Sequence, residues 1–195
     1  MIPQIVCDKE HTEEEKWYVM HRHALSAHKV REKLRKLEFT YFQPQSLQLE
    51  TVNGRKQKVL KYTLPDYFFI RSTFRKLEPL SKPDEPLRLT FNLNICSGRQ
   101  NDYLIVPDVQ MRNFMLMATA YDENPQYLSL DDEKLKNTLK SGVRVRVIGG
   151  PFDGCEGRYV QISRGKKRQL VVAIEGIIGI TAHVDPDFIE ILDEE

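Results

Sequence analysis

The stretch from Gly142 to Gly157 limits what this chain can fold into more than any other. Val143, Val145 and Val147 alternate there with Arg144 and Arg146. A period of two is that of a half-buried strand, apolar on one face and wetted on the other. Gly149-Gly150-Pro151 then breaks the strand, and Gly154 and Gly157 add points where the backbone can take a positive φ or pass close to another segment. A second β-rich run, Arg158 to Ile162, follows at once, and a basic turn, Ser163 to Arg168, leads into a third, Leu170 to Ile174. Short strands joined by glycine-rich corners within about thirty residues predict a small β-barrel, in which closure removes the sheet edges.

The 195-residue chain is long enough for one or two domains, each with its own core. A net charge of +1 means that any nucleic-acid contact has to come from a local patch, not from the molecule as a whole. Cys7, Cys96 and Cys155 are unclustered and form no Cys-x-x-Cys pair. That speaks against a disulfide framework and a zinc site, and fits a reducing cytosol. No apolar run approaches the roughly eighteen residues of a membrane span, and Met1 to Glu15 lacks the basic-then-apolar signal pattern. The expectation is a cytoplasmic protein with no membrane partner.

Residues 1–15 read as a polar, flexible N-terminus. Lys16 to His21 is aromatic and β-branched and predicts a strand. Ser26 is placed to cap a helix whose apolar stripe runs through Val30, Leu34 and Leu37. Strands are predicted over Phe39 to Gln43, Leu47 to Thr51 and Val59 to Thr63, the last two joined at the hairpin dipeptide Asn53-Gly54. After Leu64-Pro65-Asp66, the apolar run Tyr67 to Arg71 predicts a central strand. A helical turn over Phe74 to Leu80 is cut short by prolines, Leu87 to Asn94 alternates as a strand, and Tyr103 to Val106 predicts another. Asp108 can cap a helix carrying Met111, Phe114, Met115 and Met117. The polar segment 122–140 predicts a linker with a short helix capped by Asp131. The expected organisation is an α+β domain over 16–121, then the linker, then the barrel over 141–195.

Sites for chemistry are weakly marked. His21 and His23 share a strand face, but no carboxylate or Cys at matching spacing completes a metal site. Walker, Gly-x-Ser-x-Gly and Gly-x-Gly-x-x-Gly patterns are absent from the sequence. Cys155 has no His partner and reads as a small core or corner residue. Asp131-Asp132-Glu133 reads as a solvated helix start. The basic run Arg164-Gly165-Lys166-Lys167-Arg168 serves equally as a solvated hairpin tip or a phosphate-contacting loop, so Arg164, Lys166, Lys167 and Arg168 are the nucleic-acid candidates. Nothing here asks for catalysis, a metal or a cofactor.

Three pieces together carry a resemblance: Trp17-Tyr18-Val19 followed by a basic helix, Leu64-Pro65-Asp66-Tyr67-Phe68-Phe69-Ile70, and Gly142 to Gly157 with Gly150-Pro151-Phe152. In this order they are similar to the NusG family of transcription elongation factors, from Lys16 to Leu192. The resemblance implies an N-terminal NGN domain, an antiparallel sheet flanked by helices, and a C-terminal SH3-like KOW barrel. It implies a monomeric, non-enzymatic partner of the clamp region of bacterial RNA polymerase, with nascent RNA or non-template DNA as further contacts. Carried over position by position, the polymerase surface falls on His21, Leu64 and Phe91, with Tyr18 and Phe69 as neighbours. His21 and Asp66 depart from the family pattern, which favours an apolar residue and a Gly there. The barrel's partner loop falls on Ile174-Glu175-Gly176-Ile177, with Phe152 from the barrel motif. An acid and an aliphatic residue stand where general NusG carries an aromatic and an arginine for Rho or a ribosomal protein. The chain is most similar to the specialised UpxY-like antiterminators of capsular polysaccharide loci.

Overall fold

The computed structural model describes residues 14–23, 26–86, 88–93, 102–123, 125–130, 133–162, 167–174 and 176–193. Strand β1 (Lys16–Arg22) leads into helix α1 (Ala27–Lys36), then β2 (Thr40–Phe42), β3 (Gln45–Val52), β4 (Arg55–Tyr62) and β5 (Tyr67–Ser72). A short helix α2 (Phe74–Leu77) and a 3-10 turn precede β6 (Leu89–Phe91), β7 (Ile105–Val106) and helix α3 (Asp108–Thr119). Then come β8 (Gln126–Leu128), helix α4 (Glu133–Lys140), β9 (Val143–Val147) and β10 (Glu156–Val160). The last strands are β11 (Gln169–Ile174), β12 (Ile178–Ala182) and β13 (Ile189–Ile191). The class is α+β, as the sequence predicts. The chain divides into two compact units, one of the chain up to Gln43 with Leu64–Asp108, the other of Pro44–Thr63 with the chain from Val109 onward.

The first unit is built on β1. It pairs antiparallel with β5, from Lys16↔Ser72 to His21↔Tyr67, with β6 through Met20↔Phe91, and with β7 through Tyr18↔Ile105. The sheet order is β2-β5-β1-β6, with β7 also on β1. Trp17, Tyr18, Val19 and Met20 are all buried, as are Phe68, Phe69 and Ile70. A strand apolar on both faces has no wet side, which is why these runs occupy the middle of a sheet. On one face Tyr18, Met20, Phe68, Ile70, Leu89 and Phe91 pack with Val30 and Leu34 of α1 and with Leu77 and Leu80. Burying a large aliphatic or aromatic side chain contributes about 1.5–3 kcal/mol, so each member of this cluster adds materially to the unit's stability.

The second unit contains the hairpin β3–β4 and a six-stranded sheet ordered β13-β9-β10-β11-β12-β8. The sheet's register is consistent with a small barrel-like KOW domain. At the hairpin turn Asn53 and Gly54 have φ of 52° and 78°, the left-handed pair that a two-residue turn requires. Gly157 is required by close approach, since a Cβ there would lie 2.6 Å from the Val171 carbonyl oxygen. Val145 and Val147 point into the core as the alternation predicts, whereas Val143, at the strand's start, is 37% exposed.

Some local expectations change. Leu37 is 51% exposed rather than part of the buried stripe. The helix has already ended there, with Leu37 as its C-cap and Glu38 in the left-handed region at φ 57°, so the periodicity no longer applies. Ser26 stands at the N-cap without a side-chain cap bond; its carbonyl instead accepts from the Lys29 and Val30 amides. The strand expected over Leu87 to Asn94 is a regular strand from Leu89 to Phe91 and continues in pairing through Asn92, whose amide donates to the Val19 carbonyl, to Leu93, which bridges to Tyr103; Leu87 and Asn94 lie outside the described residues. The segment read as a linker carries its helix, α4, and also strand β8, which pairs with β12 from Gly179↔Leu128 to Thr181↔Gln126. The proposed cap Asp131 lies outside the described residues.

Candidate functional site

In the first unit, the Leu64-Pro65-Asp66 turn is held from inside. Gln43 is 7% exposed, and its Nε2 donates to the Tyr67 carbonyl at 2.9 Å, with the Pro65 and Leu64 carbonyls at 3.4 and 3.5 Å. Its Oε1 accepts from Arg31 Nη1 at 3.1 Å, which ties α1 to the same turn. Asp66 pairs with Arg22 through both side chains, and the Arg22 amide donates to the Asp66 carbonyl at 2.9 Å. The turn is thereby fastened to the end of β1. His21 lies there, half-buried, with its ring edge-on to Tyr67 at 5.0 Å and to His23 at 5.4 Å. Burial first, then neighbouring His23, lowers the His21 pKa, partly opposed by Asp66.

The structure separates the candidate residues of this surface by accessibility. Leu64 and His21 are partly accessible, while Phe69 is 0%, Tyr18 5% and Phe91 7% exposed. Phe91 is the centre of an aromatic group: Tyr18 at 5.6 Å edge-on, Phe74 stacked at 5.3 Å and Tyr103 at 4.7 Å. Phe74 and Tyr103 also stack on each other at 5.3 Å, and both are half-buried. The accessible aromatic surface near Phe91 is therefore supplied by Phe74 and Tyr103. Periodicity singles out neither, because Phe74 opens a one-turn helix and Tyr103 lies before the two-residue β7, in an isolated bridge to Leu93. The only available signal was aromatic character next to short elements.

In the second unit, Phe152 and Ile174 are core residues. Ile174 pairs with Ile178 across the β11–β12 hairpin, and the Ile177 amide closes the turn on the Ile174 carbonyl at 3.0 Å. Gly176 is exposed with φ 75°, a conformation that glycine takes without a Cβ penalty, and Ile177 is half-buried. Glu175 lies outside the described residues. At the tip, then, Gly176 and Ile177 are accessible and Ile174 is buried. Of the basic run, Lys167 and Arg168 are exposed just ahead of β11; Arg164 and Lys166 lie outside the described residues.

Among the described residues no group of three or more His, Cys, Asp or Glu is placed to hold a metal ion. Cys155 is buried, and burial, reinforced by Glu156, pushes its thiol up to about 12, so it is protonated and unreactive at neutral pH. No helix among the described residues is long and apolar enough to cross a membrane.

A comparison with curated proteins gives no match. The family described as "Transcription termination factor nusG" matches residues 15–115, just over half of the chain. The match covers β1, the Leu64-Pro65-Asp66 turn, the aromatic group around Phe91 and the first turns of α3. Proteins of this type are non-enzymatic transcription factors that typically bind RNA polymerase, and this chain belongs to the NusG family.

Proposed function

We propose that this protein binds elongating bacterial RNA polymerase at its clamp region and suppresses pausing and termination, as a specialist serving a polysaccharide operon in the cytoplasm. The docking surface is the end of β1 and the turn beside it, with His21 and Leu64 in contact and Tyr18, Phe69 and Phe91 as its packed support. Favouring one polymerase conformation by preferential binding is enough to change pausing, and no bond is made or broken. The division of labour is an NGN domain over 16–121, a connecting segment over 122–140 and a KOW barrel over 141–195. Lys167 and Arg168, with Arg164 and Lys166, are the residues for nascent RNA or non-template DNA.

The observation that carries the specialist reading is the β11–β12 tip. Its accessible residues are Gly176 and Ile177, with Glu175 between them and Ile174 in sequence. Aromatic and Arg side chains supply most binding hot spots, and this tip has neither. Rho and the ribosomal protein therefore lose their anchors.

The full-length chain tests this directly. Retention on core polymerase, with read-through of a terminator behind its own leader and no tight binding of Rho or the ribosomal protein, is the expected outcome. Tight binding of either would make the protein a housekeeping NusG. Failure to be retained on polymerase would leave a KOW-type RNA-binding module.

A further inference from the structure

We propose that the outer edge of β3 pairs with itself, joining two copies of this chain antiparallel about a two-fold axis at Leu49. β3 and β4 form a two-stranded ribbon whose register runs from Gln45↔Tyr62 to Val52↔Arg55. Among the described residues no third strand joins it. A two-stranded ribbon is marginal in water on its own, and each of its free edges is a template for another strand.

The parity of the ladder fixes which backbone groups face outward. The Thr63 amide donates to the Pro44 carbonyl at 2.9 Å, one step before Gln45↔Tyr62. Hydrogen-bonded pairs alternate along an antiparallel ladder, so Ser46, Gln48, Glu50 and Val52 turn their N–H and C=O groups to β4. The two-residue turn Asn53-Gly54 closes on Val52↔Arg55 and gives the same parity from the other end. Gln45, Leu47, Leu49 and Thr51 therefore face away from β4. The Gln45 carbonyl agrees, because the Tyr127 hydroxyl donates to it at 3.0 Å and closes that end of the edge. What stays open is Leu47, Leu49 and Thr51, a stretch centred on Leu49, whose side chain is 71% exposed.

This stretch complements itself. An antiparallel copy that sets Leu49 against Leu49 and Leu47 against Thr51 satisfies both outward groups of all three residues. On one face of the new sheet the two Leu49 side chains meet, with Leu60 beside Leu47. On the other face Glu50 meets Gln48 of the second copy, a carboxylate opposite an amide donor. β4 explains why pairing stops at two. Arg55, Lys56, Lys58 and Lys61 make half of that strand basic, whereas Glu50 is the only charge on β3. Lysines along an edge keep further strands away. In the order β4-β3-β3-β4 both basic strands lie outside, about 14 Å apart, so the interface is isologous and closed.

Sedimentation equilibrium of the full-length chain from about 1 µM to about 1 mM tests this, a range suited to a small interface. A monomer–dimer equilibrium is the expected result. Leu49→Pro deletes one outward N–H and keeps the ladder to β4, because proline on an edge strand gives up only a solvent-facing donor. Leu49→Lys sets like charges across the two-fold axis. Both are expected to weaken dimerisation by at least about tenfold, with far-UV circular dichroism and urea unfolding close to the parent's. In a Cys7→Ser, Cys96→Ser background, Leu49→Cys is expected to form an interchain disulfide faster than Lys58→Cys does. Cα atoms of a directly opposed hydrogen-bonded pair lie about 5.5 Å apart, within disulfide reach. A parent that stays monomeric throughout overturns the proposal and leaves the edge to a strand of another protein. A dimer that neither variant weakens, or equal disulfide rates at the two positions, overturns it as well. Should Leu49→Pro fail to fold, Leu49→Lys decides by the same criterion. The readouts involve neither polymerase nor nucleic acid, so their failure and failure of the proposed function are separate results.

Discussion

Gln43 shows how much a single side chain can organise. It lies at the end of a predicted strand, and nothing in the sequence marks it as special. Yet its amide satisfies carbonyls of the Leu64-Pro65-Asp66 turn and joins them to Arg31 on α1. Gln43→Leu removes the side-chain donor from the Tyr67 carbonyl, its shortest bond to the turn, and the expected cost is about 1–3 kcal/mol in urea unfolding, with loss of amide protection centred on Tyr67. Tyr127 makes a second case. Its hydroxyl donates to the Gln45 carbonyl at 3.0 Å, and burial pushes its phenol up to about 12, against an opposing hydrogen bond with Thr63. Folding thus favours the protonated phenol. Its contribution is complete below pH 10, where the unfolded chain also keeps the proton, and is lost as pH rises through about 12. Tyr127→Phe is expected to flatten the fall in stability between those limits, measured as melting temperature against pH. His21 runs the other way. Its pKa is lowered, so the folded protein favours the neutral ring, and that contribution is lost as pH falls below 6.5. An NMR titration of His21 is expected to show its midpoint below 6.5.

At the scale of elements, the glycine-rich stretch separates into positions with different jobs. Gly154 has φ 75° and open space around its Cβ position, so Gly154→Ala costs about 1–2 kcal/mol for left-handed backbone and changes nothing else. Gly157 has no strain in φ but no room, so Gly157→Ala must push β11 away from β10, at a cost of about 1–3 kcal/mol. Hydrogen exchange separates the two: reduced protection in the β10–β11 ladder is expected for Gly157→Ala and not for Gly154→Ala. The sequence made the elements legible wherever pattern and turn chemistry agreed, as in β1, β5, the Asn53-Gly54 hairpin and β9 to β11. It left β8 unread, because three residues in a polar stretch become a strand only when β12 offers them an edge. The helix α3 is legible from its apolar residues, but the bonds that Gln110 and Asn113 donate to the Ala173 and Glu156 carbonyls are not. Carboxamides on a helix look like surface until the sheet that needs them is in place.

For the molecule as a whole, the question is which of the five candidate residues of the polymerase surface would act through contact and which through folding. Phe69, Tyr18 and Phe91 are almost wholly buried, whereas Leu64 and His21 are partly accessible. Phe74 and Tyr103 are the accessible members of the aromatic group around Phe91. Truncating a buried Phe costs about 3–5 kcal/mol, a large part of the stability of a domain this size. Phe69→Ala and Phe91→Ala are thus expected to lose polymerase retention together with folding, seen as a lowered unfolding midpoint. Leu64→Ser, Phe74→Ser and Tyr103→Ser remove partly accessible side chains, of which Phe74 and Tyr103 also pack against the core cluster. They are expected to lower the free energy of unfolding less than Phe69→Ala and Phe91→Ala do, while weakening retention on core polymerase, each by about tenfold if it is a binding hot spot. If the three partly accessible variants bind as the parent does and only the buried ones fail, the docking surface lies elsewhere on the chain, and the position-by-position carry-over from the family does not hold for this protein.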